Sequence, residues 1–133
     1  MTRGKGGPPA EDRAMRCPRD STELDKVKAD DVTYDRCPTC RGLWFDRGEL
    51  ARVAATDELE KAAQRIDPLA QLSSFGCIRC WGDCFQTRIG DVVVDTCRTC
   101  HGVWLDGGEL EAAKKALQAI PKPTGFKALL KRL

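Results

Sequence analysis

Cys40-Arg-Gly-Leu-Trp-Phe-Asp-Arg-Gly-Glu-Leu50 is written a second time as Cys100-His-Gly-Val-Trp-Leu-Asp-Gly-Gly-Glu-Leu110, at an offset of 60 residues and with no gap. Working outward, Cys17 and Cys37 recur as Cys77 and Cys97, and residues 17–50 agree with 77–110 at 14 of 34 positions. Self-similarity at a fixed offset marks a duplicated structural unit. In a chain of 133 residues, neither copy is long enough to bury the apolar area that folding unaided requires. Units this small need a staple, and the 8 cysteines supply the material for one.

The kind of staple follows from compartment and spacing. Met-Thr-Arg-Gly-Lys-Gly-Gly-Pro-Pro-Ala at the start has no apolar h-region, so no secretory signal is expected. No apolar run approaches the ~20 residues that span a bilayer. A reducing, cytoplasmic location is the expectation, and there paired Cys-x-x-Cys reads as metal or redox chemistry rather than a disulfide framework.

The second copy offers Cys77, Cys80, Cys97 and Cys100, two knuckles separated by 16 residues. That spacing signals a zinc site, because each short turn points both sulfurs at one ion. In the first copy Cys17, Cys37 and Cys40 recur, but Asp20 stands where Cys80 stands. A carboxylate oxygen completes a tetrahedral shell that three thiolates leave open, so Asp20 is expected to bind a second zinc. The alternative is a surface turn residue beside an empty or weakened site. Cys84 aligns with Leu24. It reads most simply as a small core residue, and otherwise as an alternative ligand or resolving thiol. His101 is expected to be exposed rather than a ligand. An iron site of rubredoxin type suits the four thiolates but not Asp20.

The 16 residues between knuckles accommodate a hairpin. Val32-Thr-Tyr-Asp-Arg36 and Val92-Val-Val-Asp-Thr96, rich in β-branched residues, read as its return strands, with turns at Ala29–Asp31 and Gly90–Asp91. Gly42 and Gly102 mark a positive φ or a close backbone approach. Trp44 and Trp104 are expected to pack on the hairpin and seal the metal. Asp46…Glu49 and Asp106…Glu109 have capping-box spacing at the start of a helix. Leu59, Ala62, Ala63 and Ile66 then form an apolar stripe, whether on one helix or two, before Asp67-Pro68 stops it. The fold class is a small metal-stapled α+β protein of two tandem zinc ribbons, each followed by an α-helix. The organisation is a disordered arm (1–16), ribbon one running into a helix (17–50), helix and linker (51–76), ribbon two running into a helix (77–110), and the helix end with a basic amphipathic tail (111–133).

Both copies resemble the transcription factor IIB-type zinc-finger family of prokaryotic proteins. Its motif is a Cys-Pro-x-Cys or Cys-Pro-x-Asp knuckle, then Cys-Pro-x-Cys-x-Gly-x-Trp-Leu-Asp-x-Gly-Glu-Leu. The resemblance covers residues 17–50 and 77–110 and implies as ligands Cys17, Asp20, Cys37 and Cys40, then Cys77, Cys80, Cys97 and Cys100. The second copy departs from the motif at Ile78 and Arg98, where the knuckle prolines are missing. The fold does not by itself fix a role in transcription.

Charge bears on partners. Counting Lys/Arg against Asp/Glu, residues 17–50 and 77–110 each carry −2, while 111–133 carry +5 of a net +2. Acidic ribbons supply no basic face for phosphates, so Arg19, Arg36, Arg41, Arg79, Arg88 and Arg98 read as solvated charge. The tail places Phe126, Leu129, Leu130 and Leu133 on one helical face, which suits docking to a protein partner or packing on the protein itself more than a membrane surface. Trp81, opposite Ser21, is a second candidate anchor. One histidine and no nucleophile arrangement argue against an enzyme. The reading is a non-enzymatic adaptor built on two structural zinc ribbons. A direct nucleic-acid-binding regulator and a thiol-based redox or zinc sensor are the alternatives.

Overall fold

The alternating and β-branched runs form a single antiparallel sheet that joins the two copies. In the computed structural model, which describes residues 14–119, the strands are β1 (Asp25–Ala29), β2 (Val32–Arg36), β3 (Leu43–Phe45), β4 (Leu72–Gly76), β5 (Asp83–Ile89), β6 (Val92–Cys97) and β7 (Val103–Leu105). Their order across the sheet is β1-β2-β3-β7-β6-β5-β4. The central pair, β3 and β7, comes from different copies, with Trp44 directly opposite Trp104 and Leu43 opposite Leu105. An approximate twofold relation between the copies therefore passes through the two tryptophans. The hairpin turns fall at Asp30–Asp31 and Gly90–Asp91, where the turn-forming residues place them.

Side chains alternate between the faces of β3 and β7, and each face has its own core. On one face Phe45, Val103, Leu105, Ile89 and Val94 pack under helices α1 (Glu49–Ala54), α2 (Asp57–Ala63) and α3 (Glu109–Ala119). On the other Trp44 and Trp104 pack with Met15, Leu24, Cys84 and the innermost knuckle cysteines. Met15 is buried, and Arg16 bridges Glu23, so the first ribbon begins before residue 17. The rest of the expected N-terminal arm and the tail at 122–133 lie outside the described residues.

The segment after the first ribbon is two helices, separated by Ala55 at φ 60°. Thr56 caps α2 by accepting the Glu58 N–H (3.2 Å). Glu60 reaches back to accept the N–H groups of Gly48 (2.8 Å) and Ala51 (3.0 Å), satisfying the first turn of α1. The apolar stripe stops short: α2 buries Leu59, Ala62 and Ala63, but Ile66 lies past its end and is exposed. The linker expected at 69–76 contributes edge strand β4. Among the described residues no helix is long and apolar enough to cross a membrane.

Candidate metal centres

All four knuckles share one backbone pattern. The residue four positions on donates its N–H to the carbonyl of the leading cysteine: Ser21 to Cys17, Arg41 to Cys37, Trp81 to Cys77 and His101 to Cys97, at 2.9–3.0 Å. Each of these donors has a positive φ, between 66° and 70°. The leading cysteine in turn donates to the carbonyl of the following residue, Thr22, Gly42, Gly82 or Gly102. This turn aims N–H groups at sulfur: Arg19 N to Cys17, Cys40 N to Cys37, Cys80 N to Cys77 and Thr99 N to Cys97, each at 3.3 Å. Such donors stabilise thiolate charge.

Two four-residue clusters result, Cys77/Cys80/Cys97/Cys100 and Cys17/Asp20/Cys37/Cys40, with ligand atoms all within 4.8 Å of one another in each. In the second copy's cluster, the Cys77 and Cys100 sulfurs are 3.6 Å apart and those of Cys80 and Cys97 3.5 Å. Tetrahedral zinc with bonds of about 2.3 Å sets sulfur pairs roughly 3.8 Å apart, so the set fits with slight expansion. In the first, Cys17 and Cys40 are 3.5 Å apart, and the Asp20 oxygens are 3.5 and 3.6 Å from Cys37. A shell mixing a carboxylate oxygen with thiolates predicts an oxygen–sulfur separation of roughly 3.5 Å. Asp20 is thus drawn into the cluster, where its Oδ1 also accepts the Thr22 N–H (3.0 Å). Cys80 takes the Gly82 N–H the same way (3.4 Å).

Left to protons alone, the thiols are frustrated. Burial pushes Cys17 up to about 12. The hydrogen bond with Cys100 holds Cys77 far below an ordinary thiol, and the same contact drives Cys100 up. A divalent ion that displaces the remaining protons relieves this. The donor sets suit zinc, and Cys17, Asp20, Cys37 and Cys40 would hold one ion and Cys77, Cys80, Cys97 and Cys100 another.

The surroundings of the clusters depart from several expectations. Trp44 and Trp104 are fully buried among residues of both copies, and each also reaches across to the opposite copy. The ring of Trp104 lies where a Cβ on Gly42 would be, 2.1 Å from its Cζ2, and Trp44 meets Gly102 identically. The glycines are required by this close approach across the copies, while the positive φ falls on Arg41 and His101. Each indole N–H donates to its own copy's aspartate, Trp44 to Asp46 (3.0 Å) and Trp104 to Asp106 (2.9 Å). Asp46 is therefore not a side-chain helix cap. Only the other half of the capping box forms, the Glu49 carboxylate accepting the Asp46 N–H (2.9 Å), and Glu109 repeats it (2.8 Å).

Arg19 and Arg79 are not solvated charges. Arg19, between Cys17 and Asp20, reaches the second copy's Asp106 with two bonds (2.8 and 2.9 Å) and the buried Asp95 at 3.4 Å. Arg79 meets Asp46 the same way (3.0 and 2.7 Å) and approaches Asp35 at 3.9 Å. Burial raises the Asp35 and Asp95 carboxyls, against the lowering effect of Lys26 on the first and Ser73 on the second. Arg98 is half-buried, lying 4.0 Å over the Phe85 ring and donating to the Asp67 carbonyl (3.0 Å).

His101 is half-buried rather than exposed, its Nδ1 3.3 Å from Gln64 Oε1, while Gln64 Nε2 donates to the His101 carbonyl (2.7 Å). Cys84 is buried in the core beside Cys77 and lies outside the four-ligand set, as a small replacement for Leu24. The cross-copy contacts had one visible signal in the sequence, the identity of Arg19 and Arg79 inside otherwise divergent knuckles.

The family described as "Transcription factor zinc-finger" matches residues 16–56 and again 77–116. The chain belongs to this zinc-finger family, as two tandem copies. Neither the curated proteins nor the solved structures yield a match to the chain.

Proposed function

We propose that this zinc-finger protein is a non-enzymatic adaptor whose two zinc centres are structural and whose linker face receives an extended segment of a protein partner. The observation that carries the reading is the placement of exposed apolar side chains. Ile66, Leu69 and Leu72 are 69%, 88% and 58% exposed, and they lie on one seven-residue stretch. Ile66 and Leu69 line a groove of about 520 Å³, together with Val93, Arg65, Arg88 and the single acidic residue Asp67. The adjoining β4 is an edge strand without a charged residue or proline, in contrast to the opposite edge, β1, which carries Lys26 and Lys28. Uncharged edges beside apolar pockets suit strand addition, and the flanking arginines favour a segment carrying carboxylates. Four ligand atoms per cluster leave no position on zinc for a substrate, which supports a structural role. Eight free thiols suit a reducing, cytoplasmic location. The family's description makes transcription machinery the first place to seek the partner.

A photocrosslinking side chain at Leu69 tests this. A discrete protein adduct is expected, lost when Leu72→Asp is added. Adducts with nucleic acid, or steeply salt-dependent binding of DNA or RNA, would instead support the direct regulator. A thiol sensor is favoured by one observation, the burial of Cys84 in the same cluster as Cys77. In that reading peroxide is reduced to water as the two thiols join in a disulfide, and zinc is released. Burial of Cys84 (1% exposed) opposes this access.

A further inference from the structure

We infer that the two copies clamp each other's metal knuckles, so that zinc held at one site strengthens zinc binding at the other. Each centre is gripped at both of its knuckles by the opposite copy. The first knuckle of each carries the arginine, Arg19 or Arg79, tied by two bonds to Asp106 or Asp46 across the sheet. The second knuckle is closed by the hydrogen bond from Cys37 to the Gly42 carbonyl, or from Cys97 to that of Gly102 (both 2.9 Å). Those glycines are the positions against which the opposite copy's Trp104 and Trp44 are seated.

The same aspartate ties the two grips together. Asp46 Oδ1 accepts both the Trp44 indole, which covers Gly102, and the Arg79 guanidinium, whose neighbours are Cys77 and Cys80. Asp46, a residue of the first copy, therefore orients both knuckles of the second centre. Asp106 does the same for the first centre through Trp104 and Arg19. A knuckle whose metal is lost frees its arginine and its glycine turn, and the opposite copy's aspartate and tryptophan lose the surfaces that hold them. Groups that orient ligands from outside the shell are commonly worth about 10–100-fold in metal affinity. Here those groups belong to the other metal's ribbon, and such coupling is reciprocal by thermodynamic necessity. The first centre, with its Asp20 ligand, gains support from the all-thiolate second.

Asp46 and Asp106 are positioning residues, and their effect on metal binding has a crossed signature. Asp46→Asn and Asp106→Asn, which keep the shape and one acceptor, are made separately in the full-length protein. Cobalt(II) is the probe, because its visible bands differ between an all-thiolate shell and one with a carboxylate, so chelator competition reads each site. Asp46→Asn is expected to weaken the second centre by about 10–100-fold and the first by less, only through the second's loss of metal, and Asp106→Asn to do the reverse. Substitutions that weaken the centre of their own copy, both centres equally or neither overturn the proposal. Should an asparagine variant fail to fold, Asp46→Glu and Asp106→Glu carry the same crossed readout. As an independent arm, Cys97→Ser empties the second centre. The cobalt affinity of the first is then expected to fall by about 5–150-fold, and an unchanged affinity contradicts coupling.

Discussion

In the first copy the fourth ligand position holds Asp20 and in the second Cys80, yet both side chains accept the backbone N–H two residues on and both close a four-atom cluster. The helices that follow diverge further. The first copy breaks into α1 and α2 at Ala55, while the second runs on as one 11-residue helix. The second copy adds strand β4, where among the described residues the first shows the Arg16–Glu23 bridge. Against this, Arg19/Arg79, Asp35/Asp95, Gly42/Gly102, Trp44/Trp104 and Asp46/Asp106 are identical between copies, and all lie where the copies meet. The difference teaches that pairing, as much as metal ligation, is what the repeated residues encode. The four-atom cluster itself accommodates an oxygen in place of sulfur.

The largest effect that tests this comparison is loss of a ligand. Asp20→Ala is expected to abolish zinc at the first centre while the second stays loaded at saturating zinc, and Cys80→Ala the converse, both read as zinc per chain by native mass spectrometry. Equal loss of both ions from either variant would mean that the copies do not hold separate centres. Next in size is the seat of the tryptophans. Gly42→Ala or Gly102→Ala places a methyl group inside the opposite indole, and each is expected to cost about 1–3 kcal/mol in chemical denaturation. Matching costs at the two positions support the twofold relation. A tolerated alanine at one of them breaks it.

Asymmetry should appear at Glu60, which accepts two N–H groups at the start of α1 and has no counterpart at α3 among the described residues. Glu60→Ala is expected to cost about 1 kcal/mol, the scale of a lost helix cap. The smallest effect concerns the paired carboxylates Glu49 and Glu109. Burial raises both, Glu109 to about 7. An acid whose folded value lies above its unfolded one contributes stability fully at low pH and loses it as pH rises through the folded value. Wild type should therefore weaken between about pH 4.5 and pH 7, and Glu109→Gln should flatten that slope while keeping the acceptor for the Asp106 N–H. Urea midpoints across this range check it, and an unchanged slope removes Glu109 as the source.

Local chemistry was legible in the sequence: knuckle spacing gave the two clusters, β-branched runs gave β2 and β6, and turn residues placed the hairpins. What escaped was contact between copies. Gly42 signalled an unusual backbone, but nothing local reveals that the space beside it belongs to an indole 62 residues away in the chain. Asp46 has the spacing of a helix cap, and capping propensity lost to a guanidinium with two matched bonds, the stronger interaction for a carboxylate. The stripe through Ile66 failed because periodicity continues past a helix end that only the fold defines. Asp20 was readable as the fourth member of the first cluster from position alone, because the chemistry of an incomplete thiolate shell calls for an acceptor there.

The most direct test of two zinc centres is the metal content of the reduced, full-length protein by native mass spectrometry. Two zinc ions per chain are predicted, with the one-zinc form scarce until chelator is in excess. A chain that holds a single ion at saturating zinc would contradict the account, leaving the Asp20 cluster as a fold without a metal.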